Sequence, residues 1–274
     1  MRKNMCVLLA IMFLLAVMVV PAAAITWGEP DTEHINVGAM VIYHPDHQKD
    51  WQTCSGTLVN PEIFLTAGHC TARLEELIEA GDLDLNQIWV NFNQDALNEE
   101  TKLDVEQVIT HPDYNISDPS NPYDVGVLIL TNPVTDIEPA NLPDEGFLDI
   151  LKQDGLLHEK GEGAIFTVVG YGGQLDEWPP PDIEYYGKRQ FAESEYLVLR
   201  PVWLHLSQNL NRDNGGTCFG DSGGPAFWSH DDGTEILVGI TSWGDAQCVA
   251  SGFYYRVDIP ETLGFIDGLI PDPE

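Results

Sequence analysis

The sequence predicts an all-β protein. Short apolar runs recur along the chain, and clusters of Gly, Pro, Asn and Asp separate them, which is the pattern of strands joined by turns. Helical signals are few. The spacing of the runs is typical of β-barrels, and the six clearest runs cover residues 37–43, 87–92, 105–109, 125–130, 165–169 and 236–240.

Two helices are expected beside these strands. One should follow His69 and cover Thr71 to Ala80, and the other should cover residues 259–269 near the C-terminus. Pro260 fits the second helix because proline is tolerated in a first helical turn. The chain of 274 residues is long enough for one or two packed domains with a real core.

Residues 1–24 have the pattern of a signal peptide. Two basic residues precede an apolar stretch over residues 6–20, and three alanines at 22–24 supply the small residues of a cleavage site. The stretch is shorter than a membrane span, although an uncleaved anchor is the alternative. We therefore expect a secreted protein, extracellular or periplasmic, with no membrane association after leader cleavage.

The chain is strongly acidic. It has 44 Asp and Glu residues against 12 Lys and Arg residues, for a formal net charge of −32. Such a charge repels nucleic acids and anionic membranes, so a nucleic-acid partner is not expected. We interpret the charge as a solvated surface that keeps the protein soluble, with a specific basic partner as the alternative, and we expect a monomer.

The run CFGDSGGP, residues 218–225, is the most informative segment of the chain. Glycines on both sides of Ser222 permit backbone angles that are closed to other residues, and they let a substrate carbonyl approach the main chain. An acyl-transfer site needs such an exposed hydroxyl beside convergent N–H groups. The same run alone is equally compatible with a structural loop.

Two further segments carry a histidine and an aspartate beside predicted strands. His69 lies in the run LTAGHC (65–70), and Asp124 precedes the strand in YDVGVLIL (123–130). A buried carboxylate needs a hydrogen-bonding partner, so Asp124 should have one. Taken singly, His69 would be interpreted as a packed or surface residue and Asp124 as a turn residue.

Together, in the order His69, Asp124, Ser222, the three segments resemble the chymotrypsin-like (trypsin-type) serine endopeptidases. TAGHC, the strand after Asp124 and GDSGGP are similar to motifs of that family. GITSWG (239–244) and GFYYRV (252–257) resemble its substrate-binding strand and the strand that follows it. The segment LHLSQN (204–209), with GGTC after it, suggests a bacterial-type branch.

The resemblance implies two packed six-stranded antiparallel β-barrels with a short C-terminal helix. Residues 25–140 would form an N-terminal barrel that carries His69 and Asp124. Residues 141–274 would form a C-terminal barrel that carries Ser222 and the primary specificity pocket. The cleft between the barrels would then hold all three side chains.

The resemblance also implies a role for each residue. Ser222 would be the nucleophile, His69 its general base, and Asp124 the residue that fixes the His69 tautomer. The N–H groups of Gly220 and Ser222 would form the oxyanion hole, and the Ser242 hydroxyl would donate to Asp124. This chemistry needs no cofactor, and no metal site is expected.

The resemblance places six residues in substrate binding: Gly216, Thr217, Ser242, Trp243, Gly244 and Gly252. Gly216 would lie at the floor of the primary pocket, where no carboxylate is present, so a preference for Arg or Lys is not expected. Gly244 and Gly252 match positions on the pocket walls. They leave room for a large apolar or aromatic residue before the scissile bond.

Four cysteines remain after Cys6, which lies in the leader. Four cysteines can pair in more than one way, and the family pattern selects Cys54 with Cys70 and Cys218 with Cys248. The alternative, four buried free thiols, is disfavoured in an exported protein.

Cleavage after the last leader alanine would leave Ile25-Thr26-Trp27-Gly28 as the mature start. This resembles the terminus that proteolytic activation creates in the family, where the new α-amino group pairs with the aspartate before the nucleophile, here Asp221. We hypothesise that signal peptidase makes the activating cut. The alternative is that residues 25–33 form an ordinary surface arm.

The sequence thus predicts a secreted serine endopeptidase that acts on peptide or protein substrates through an acyl-enzyme. Two alternatives stay open. One is a catalytically silent homologue that binds peptides or surfaces through the same cleft. The other is an esterase that uses the same three residues.

Overall fold

The structure of the chain is a computed structural model. It describes residues 25–44, 47–118, 122–158, 164–177, 182–185 and 187–270, although the side chains of 174–177 and 182 are outside this description. The predicted signal peptide, residues 1–24, lies outside the described residues. Within them, no helix has the length and apolar character needed to cross a membrane.

Six antiparallel strands form a closed barrel in the N-terminal half of the chain. They are β2 (Val37–His44), β3 (Lys49–Asn60), β4 (Ile63–Thr66), β5 (Ile88–Asn91), β6 (Lys102–Thr110) and β7 (Gly126–Leu130). Their order around the barrel is β2-β3-β4-β7-β6-β5. The first six residues of β2 are all buried, so both faces of this strand are covered.

A second closed barrel follows in the C-terminal half. Its strands are β8 (Ile165–Gly170), β11 (Gln190–Leu199), β12 (Trp203–Ser207), β13 (Pro225–Ser229), β14 (Glu235–Gly244) and β15 (Ser251–Arg256). The order is β11-β12-β15-β14-β13-β8, and pairing of β8 with β11 closes the barrel. β1 (Glu29–Pro30) pairs with β11, and β9 (Gly173–Glu177) forms a separate hairpin with β10 (Asp182–Tyr185).

Within the described ranges, three helices accompany the barrels. They are α1 (Gly68–Ala80), α2 (Phe147–Gln153) and α3 (Pro260–Asp267), and short 3₁₀ turns lie at Leu85–Gln87, Glu99–Thr101 and Leu210–Arg212. α1 ends at Gly81, whose φ of 75° is the left-handed conformation that stops a helix. Phe265 of α3 packs on His111 with ring centroids 5.0 Å apart, so the C-terminal helix rests on the first barrel.

The fold class predicted from the sequence is confirmed. All six predicted runs lie on strands, with ends that differ by a few residues. Both predicted helices are present, and Pro260 lies in the first turn of α3 as expected. α2 is not predicted, because its seven residues bury only Leu148 and Leu151 and are too short to show a helical period.

The two barrels share a packed interface. The larger apolar core includes residues of both barrels, for example Leu58 from the first and Phe227 from the second. The Ser55 main-chain N–H, on β3, donates to the Ser222 carbonyl at 2.8 Å, and the Ser55 hydroxyl accepts from Tyr171 N at 3.1 Å. The turn that carries Ser222 is therefore fixed to the first barrel.

Candidate active site

His69 and Asp124 meet because β4 and β7 are neighbouring strands. Thr66 at the end of β4 pairs with Gly126 at the start of β7. Just beyond this pair, His69 lies in the first turn of α1 and Asp124 precedes β7. Asp124 Oδ1 accepts from the His69 main-chain N–H at 2.7 Å, and His69 Nδ1 lies 3.0 Å from Asp124 Oδ2.

Close packing fixes the helix that carries His69. A Cβ at Gly126 would lie 2.2 Å from Thr71 Oγ1, so only glycine lets β7 approach α1 this closely. The disulfide between Cys54 and Cys70 ties the first turn of α1 to β3. Both contacts hold the backbone of His69 in place.

The partners of Asp124 favour its ionised form. Burial acts to raise the pKa of Asp124, but the charge and hydrogen bonds of His69 outweigh burial, so the pKa lies below its ordinary value. The Ser242 hydroxyl also donates to Asp124 Oδ2. Burial disfavours the His69 imidazolium, but Asp124 favours it more strongly, and the pKa of His69 is raised.

This pairing sets the tautomer of the imidazole. An ionised carboxylate can only accept hydrogen bonds, so Nδ1 of His69 must carry the proton that points at Asp124. Nε2 is then the ring nitrogen that is left to accept a proton. The raised pKa means that the imidazolium formed in this way is stabilised.

Ser222 lies in a tight turn before β13. Gly220 and Gly223 have φ values of 96° and 83°, a region that favours glycine. A Cβ at Gly223 would lie 2.0 Å from Thr66 Oγ1, and the Gly223 N–H donates to the Thr241 carbonyl at 2.8 Å. The glycines of GDSGG are therefore required by the backbone path of this turn.

Two cavities meet at Ser222 and His69. Their volumes are about 620 Å³ and 290 Å³, and both residues line each of them. Among the hydrogen bonds of the described residues, none joins the Ser222 hydroxyl to His69. Unliganded sites often have this contact long, and it tightens when substrate binds.

The N–H groups of Gly220 and Ser222 are available to a ligand. In the part of the chain that the structure describes, neither N–H has a hydrogen-bond acceptor. The Gly220 carbonyl is held from the other side, since it accepts from Gln52 Nε2 at 2.7 Å and from Ser55 Oγ at 3.0 Å. Gln52 and Ser55 therefore fix the peptide that follows Gly220, a role that no sequence motif indicated.

The larger cavity is mostly apolar. It extends from Ser222 over the Cys54–Cys70 disulfide and onto side chains of both barrels, including Met40, Ile42, Leu74, Leu77, Tyr185 and Phe219. Tyr185 belongs to the β9–β10 hairpin, which therefore contributes to the wall of the cleft.

The smaller cavity is lined by four of the six predicted substrate-binding residues: Thr217, Ser242, Trp243 and Gly244. The Trp243 ring stacks on Phe253 with centroids 3.5 Å apart, and it is 44% exposed. The other two predicted residues, Gly216 and Gly252, lie deeper and have the side chain of Gln208 against them.

Gln208 is a residue of this region that the sequence analysis did not single out. A Cβ at Gly216 would lie 2.2 Å from Gln208 Cγ, and a Cβ at Gly252 would lie 3.1 Å from Gln208 Nε2. The base of the expected pocket is thus occupied. The sequence contained a signal that Gln208 is buried. Leu204, Leu206 and Gln208 are two residues apart and so share one face of an extended chain, and the two leucines are buried.

Asp221 is the second buried carboxylate of the site. It accepts from the main-chain N–H groups of Gly172 at 2.7 Å and Cys218 at 2.8 Å. No Lys, Arg or His of the described ranges forms an ion pair with it. Burial, only partly offset by the two hydrogen bonds, raises the pKa of Asp221 to about 7.

Residues 25–28 are packed into the second barrel. The Ile25 side chain is fully buried in its core, and Thr26 exchanges two main-chain hydrogen bonds of 3.0 Å with Gly216. Gly28 N donates to the Ile25 carbonyl at 2.8 Å. No hydrogen bond between Ile25 and Asp221 is found among the residues described.

Both predicted disulfides are present, Cys54 with Cys70 and Cys218 with Cys248. Cys54, His69 and Cys70 are also a group of metal-ligating residue types whose ligand atoms lie within 4.8 Å of one another. The thiolate is the form of cysteine that binds metals, and these two sulfurs are bonded to each other. The group is therefore explained by the disulfide.

The two-barrel fold and the His–Asp pair beside a glycine-rich serine turn define a chymotrypsin-like class of protein. The family model described as Trypsin matches residues 31–262, which is most of the chain. The chain therefore belongs to the trypsin family.

Individual relatives agree with this assignment at low identity. Vitamin K-dependent protein C of Rattus norvegicus is 27% identical over 253 residues, covering 79% of this chain and 49% of that protein. CLIP domain-containing serine protease B15 of Anopheles gambiae is 28% identical over 257 residues, covering 84% of this chain and 66% of that protein. Tryptase of Mus musculus is 29% identical over 231 residues, covering 74% of each.

The chain spans about half of the length of the protein C relative and about two thirds of the CLIP-domain relative. These relatives are animal proteins. The predicted bacterial-type branch therefore has no support among them, and the likeness of one short segment, 204–209, was too little to assign a branch.

Proposed function

We propose that this protein is a secreted serine endopeptidase that hydrolyses peptide bonds through an acyl-enzyme. One observation carries the proposal: His69 is held by the buried Asp124 at the meeting point of two cavities that Ser222 also lines. A serine hydroxyl is a weak nucleophile at its own pKa, so it needs a base that a third group orients. Membership of the trypsin family supports the same reaction class.

In this mechanism Ser222 Oγ attacks the carbonyl carbon of the scissile bond, and its proton moves to His69 Nε2. Asp124 keeps Nδ1 protonated and stabilises the imidazolium. His69 then donates the proton to the leaving amine, the C–N bond breaks, and an ester to Ser222 remains. A water molecule deprotonated by the same imidazole hydrolyses that ester and restores the serine.

The negative charge that develops on the substrate oxygen needs donors that are already in place. The N–H groups of Gly220 and Ser222 supply them, and each such donor is worth roughly 2.7–4 kcal/mol of barrier. Their lack of any acceptor among the described residues supports this role. Gln52 and Ser55 hold the turn that presents them.

The two cavities suit a chain that continues past the site in both directions, as an endopeptidase requires. The apolar larger cavity would take residues after the scissile bond, and the smaller one the residue before it. Gly216 and Thr217 offer no carboxylate, so we propose an uncharged residue there. Preference for a large apolar or aromatic residue depends on space beside Gly244 and Gly252, part of which Gln208 occupies.

We further propose that cleavage after residue 24 creates the active N-terminus and that signal peptidase makes the cut. The α-amino group of Ile25 would then pair with Asp221 and order the oxyanion turn. Burial of Ile25, pairing of Thr26 with Gly216, and a raised pKa of Asp221 with no cation among the described residues beside it support the proposal.

Two proposals concern the organisation of the molecule. The first is that residues 25–140 and 141–274 form the two units. Main-chain hydrogen bonds support this boundary, because Ala140 N donates to Leu58 O in the first unit, whereas Asn141 O accepts from Leu237 N in the second. The protein is a monomer, since a net charge of −32 opposes self-association.

A fluorophosphonate label tests the proposed activity. The protein secreted by its host should be labelled at Ser222 alone, as located by peptide mapping. Ser222→Ala should lose the label and on the order of 10⁶ in turnover of a denatured protein substrate. Ser229→Ala, which changes an exposed serine on β13, is the matched control and should keep both.

The same experiment separates the alternatives. A folded protein with neither label nor hydrolysis is a silent homologue that binds peptides, and the peptidase proposal is then wrong. A protein that is labelled and cleaves esters but not matched peptide amides is an esterase. Either result contradicts the assignment made here.

A further inference from the structure

We propose that Gln208 determines which residue the enzyme accepts before the scissile bond. Its side chain closes the base of the pocket beside Ser222, and its Oε1 atom accepts a hydrogen bond from the substrate side chain. The preferred residue is then uncharged, of intermediate length, and ends in an N–H donor, with glutamine and asparagine as the best fit. This inference rests on the proposed peptidase activity.

The orientation of the Gln208 carboxamide follows from its hydrogen bonds to Thr217. Nε2 donates to the Thr217 carbonyl at 2.7 Å and to Thr217 Oγ1 at 3.4 Å. A carbonyl oxygen can only accept, so the nitrogen of the carboxamide must face it and the oxygen must face the other way. The free end of the side chain is therefore an acceptor.

In the part of the chain that the structure describes, that acceptor has no partner. Gln208 is fully buried, and its Oε1 atom makes no hydrogen bond to any described residue. A buried acceptor without a donor destabilises the protein, so native structures rarely keep one without a reason. Oε1 has almost no contact with solvent, so a substrate donor reaches it only when the cavity wall at Gly244 shifts.

The carboxamide lies behind the residues that form the base of the primary pocket. It lies against Gly216 and Gly252, where a Cβ would come within 2.2 Å and 3.1 Å of it. Oε1 itself is 4.0 Å from the position that a Cβ of Gly244 would take. Gly244 and Thr217 line the cavity of about 290 Å³ beside Ser222, so Oε1 lies directly behind that cavity wall.

These contacts select the substrate by length and by chemistry. Gln208 shortens the pocket, which disfavours the long rings of Phe, Tyr and Trp. A neutral acceptor cannot compensate the burial of a Lys or Arg charge. An apolar side chain would leave Oε1 without a donor, whereas an amide N–H satisfies it, and a site built for a donor rejects the analogue that lacks one.

The test uses peptide substrates that are identical except for the residue before the scissile bond. Gln is compared with Met, and Asn with Leu, because the members of each pair have similar volume and differ in the N–H donor. We expect kcat/KM of the wild-type enzyme to be about 10- to 100-fold higher for the amide of each pair. The kcat/KM for the peptide with Phe at this position should be lower than that for the peptide with Gln.

Variants at Gln208 sharpen the test. Gln208→Met keeps the length but removes the acceptor, so the Gln-to-Met ratio should fall to about 1. Gln208→Glu places a carboxylate at the same point and should raise kcat/KM for Arg and Lys by at least about 10-fold. Gln153→Met changes an exposed glutamine on α2 and should leave every ratio at the wild-type value.

The outcomes distinguish this inference from the proposed activity. Wild-type enzyme that is labelled at Ser222 but cleaves after Met or Phe at least as fast as after Gln overturns the role of Gln208. Enzyme that is neither labelled nor active overturns the peptidase proposal instead. If Gln208→Met does not fold, peptide aldehydes ending in Gln or Met are compared as inhibitors of the wild type, and equal inhibition constants overturn the inference.

Discussion

Asp124 and Asp221 are both buried aspartates beside the serine turn, yet the fold shifts their pKa values in opposite directions. The pKa of Asp124 is lowered, because the charge and hydrogen bonds of His69 outweigh burial. The pKa of Asp221 is raised to about 7, because its two main-chain hydrogen bonds do not outweigh burial. A nearby cation compensates a buried carboxylate, and two neutral amides do not.

The difference divides the site into two halves. In the complete half, Asp124 has His69 as its partner, and in the incomplete half, Asp221 lacks a counter-charge among the described residues. His69 and Asp124 lie just beyond the paired ends of two neighbouring strands of the first barrel, so their pairing forms whenever that barrel folds. Asp221 belongs to the serine turn of the second barrel and forms no ion pair with a Lys, Arg or His of the described residues. The proposed α-amino group of Ile25 would supply that charge, so the second half depends on where the chain is cut.

Among the changes that test this comparison, the largest loss of activity is expected in the complete half, the His69–Asp124 pair. Asp124→Asn keeps the shape but lets the side chain donate to Nδ1, which favours the wrong tautomer of His69. We expect kcat for a peptide substrate to fall by about 10⁴-fold, without loss of the fold by circular dichroism. Asp104→Asn, at an exposed position of β6, is the control. A loss below tenfold would remove Asp124 from the mechanism.

The incomplete half is tested with two forms of the protein, one beginning at Ile25 and one with extra residues before it. In the form that begins at Ile25, Asp221→Asn should reduce kcat/KM on the order of 10²- to 10³-fold, since breaking a buried pair costs roughly 3–5 kcal/mol. The extended form should already be that weak, and Asp221→Asn should change it little. Equal activity of the two forms would refute the ion pair.

The same comparison explains how much of the site could be predicted from sequence. The serine turn and the histidine are carried by short contiguous motifs, and the cost of burying Asp124 indicated that it has a partner. The roles of Gln52 and Gln208 depend on contacts between segments far apart in the chain, which no single motif contains. The proposed counter-charge of Asp221 would depend on a cleavage event, which folding alone does not determine.

The free energy of unfolding should change with pH in opposite directions for the two aspartates, and this effect is smaller than those of the substitutions above. In the extended form, folded Asp221 keeps its proton up to a pKa of about 7, whereas the unfolded group loses it near 3.8. Between these values the folded state binds the extra proton, so the contribution of Asp221 to stability falls by about 1.4 kcal/mol per pH unit as the pH rises. The contribution of Asp124 to stability changes with pH in the opposite direction. It is present above pH 3.8 and is lost as the pH falls through the lowered pKa of Asp124.

Urea unfolding of the extended form from about pH 4.5 to 6.5 measures this slope. Across this range the stabilisation by His34 is constant, since its pKa is raised from 6.5 to about 9 and the stabilisation is lost only as the pH rises between these values. His111 and His205, whose pKa values burial lowers, add a slope of the opposite sign in this range in every form of the protein. Asp221→Asn should therefore remove only the contribution of Asp221 to the slope. In the form that begins at Ile25, the amine should lower the pKa of Asp221 and remove most of it as well. The same slope in all three proteins would show that Asp221 is not responsible.

The smallest effect is expected from Ser242, which adds a second donor to Asp124. Ser242→Ala should lower kcat by about tenfold or less, because His69 still holds the carboxylate, and should destabilise the fold by about 1.5–3 kcal/mol at neutral pH. A hydrogen bond to a carboxylate stabilises only its ionised form, so the destabilisation should vanish as the pH falls through the lowered pKa of Asp124. Ser229→Ala, which removes a hydroxyl that donates to the partly exposed Glu235 carboxylate at 3.4 Å, should destabilise far less. A destabilisation by Ser242→Ala that persists at low pH would mean that Ser242 acts through packing, and that Asp124 owes its lowered pKa to His69 alone.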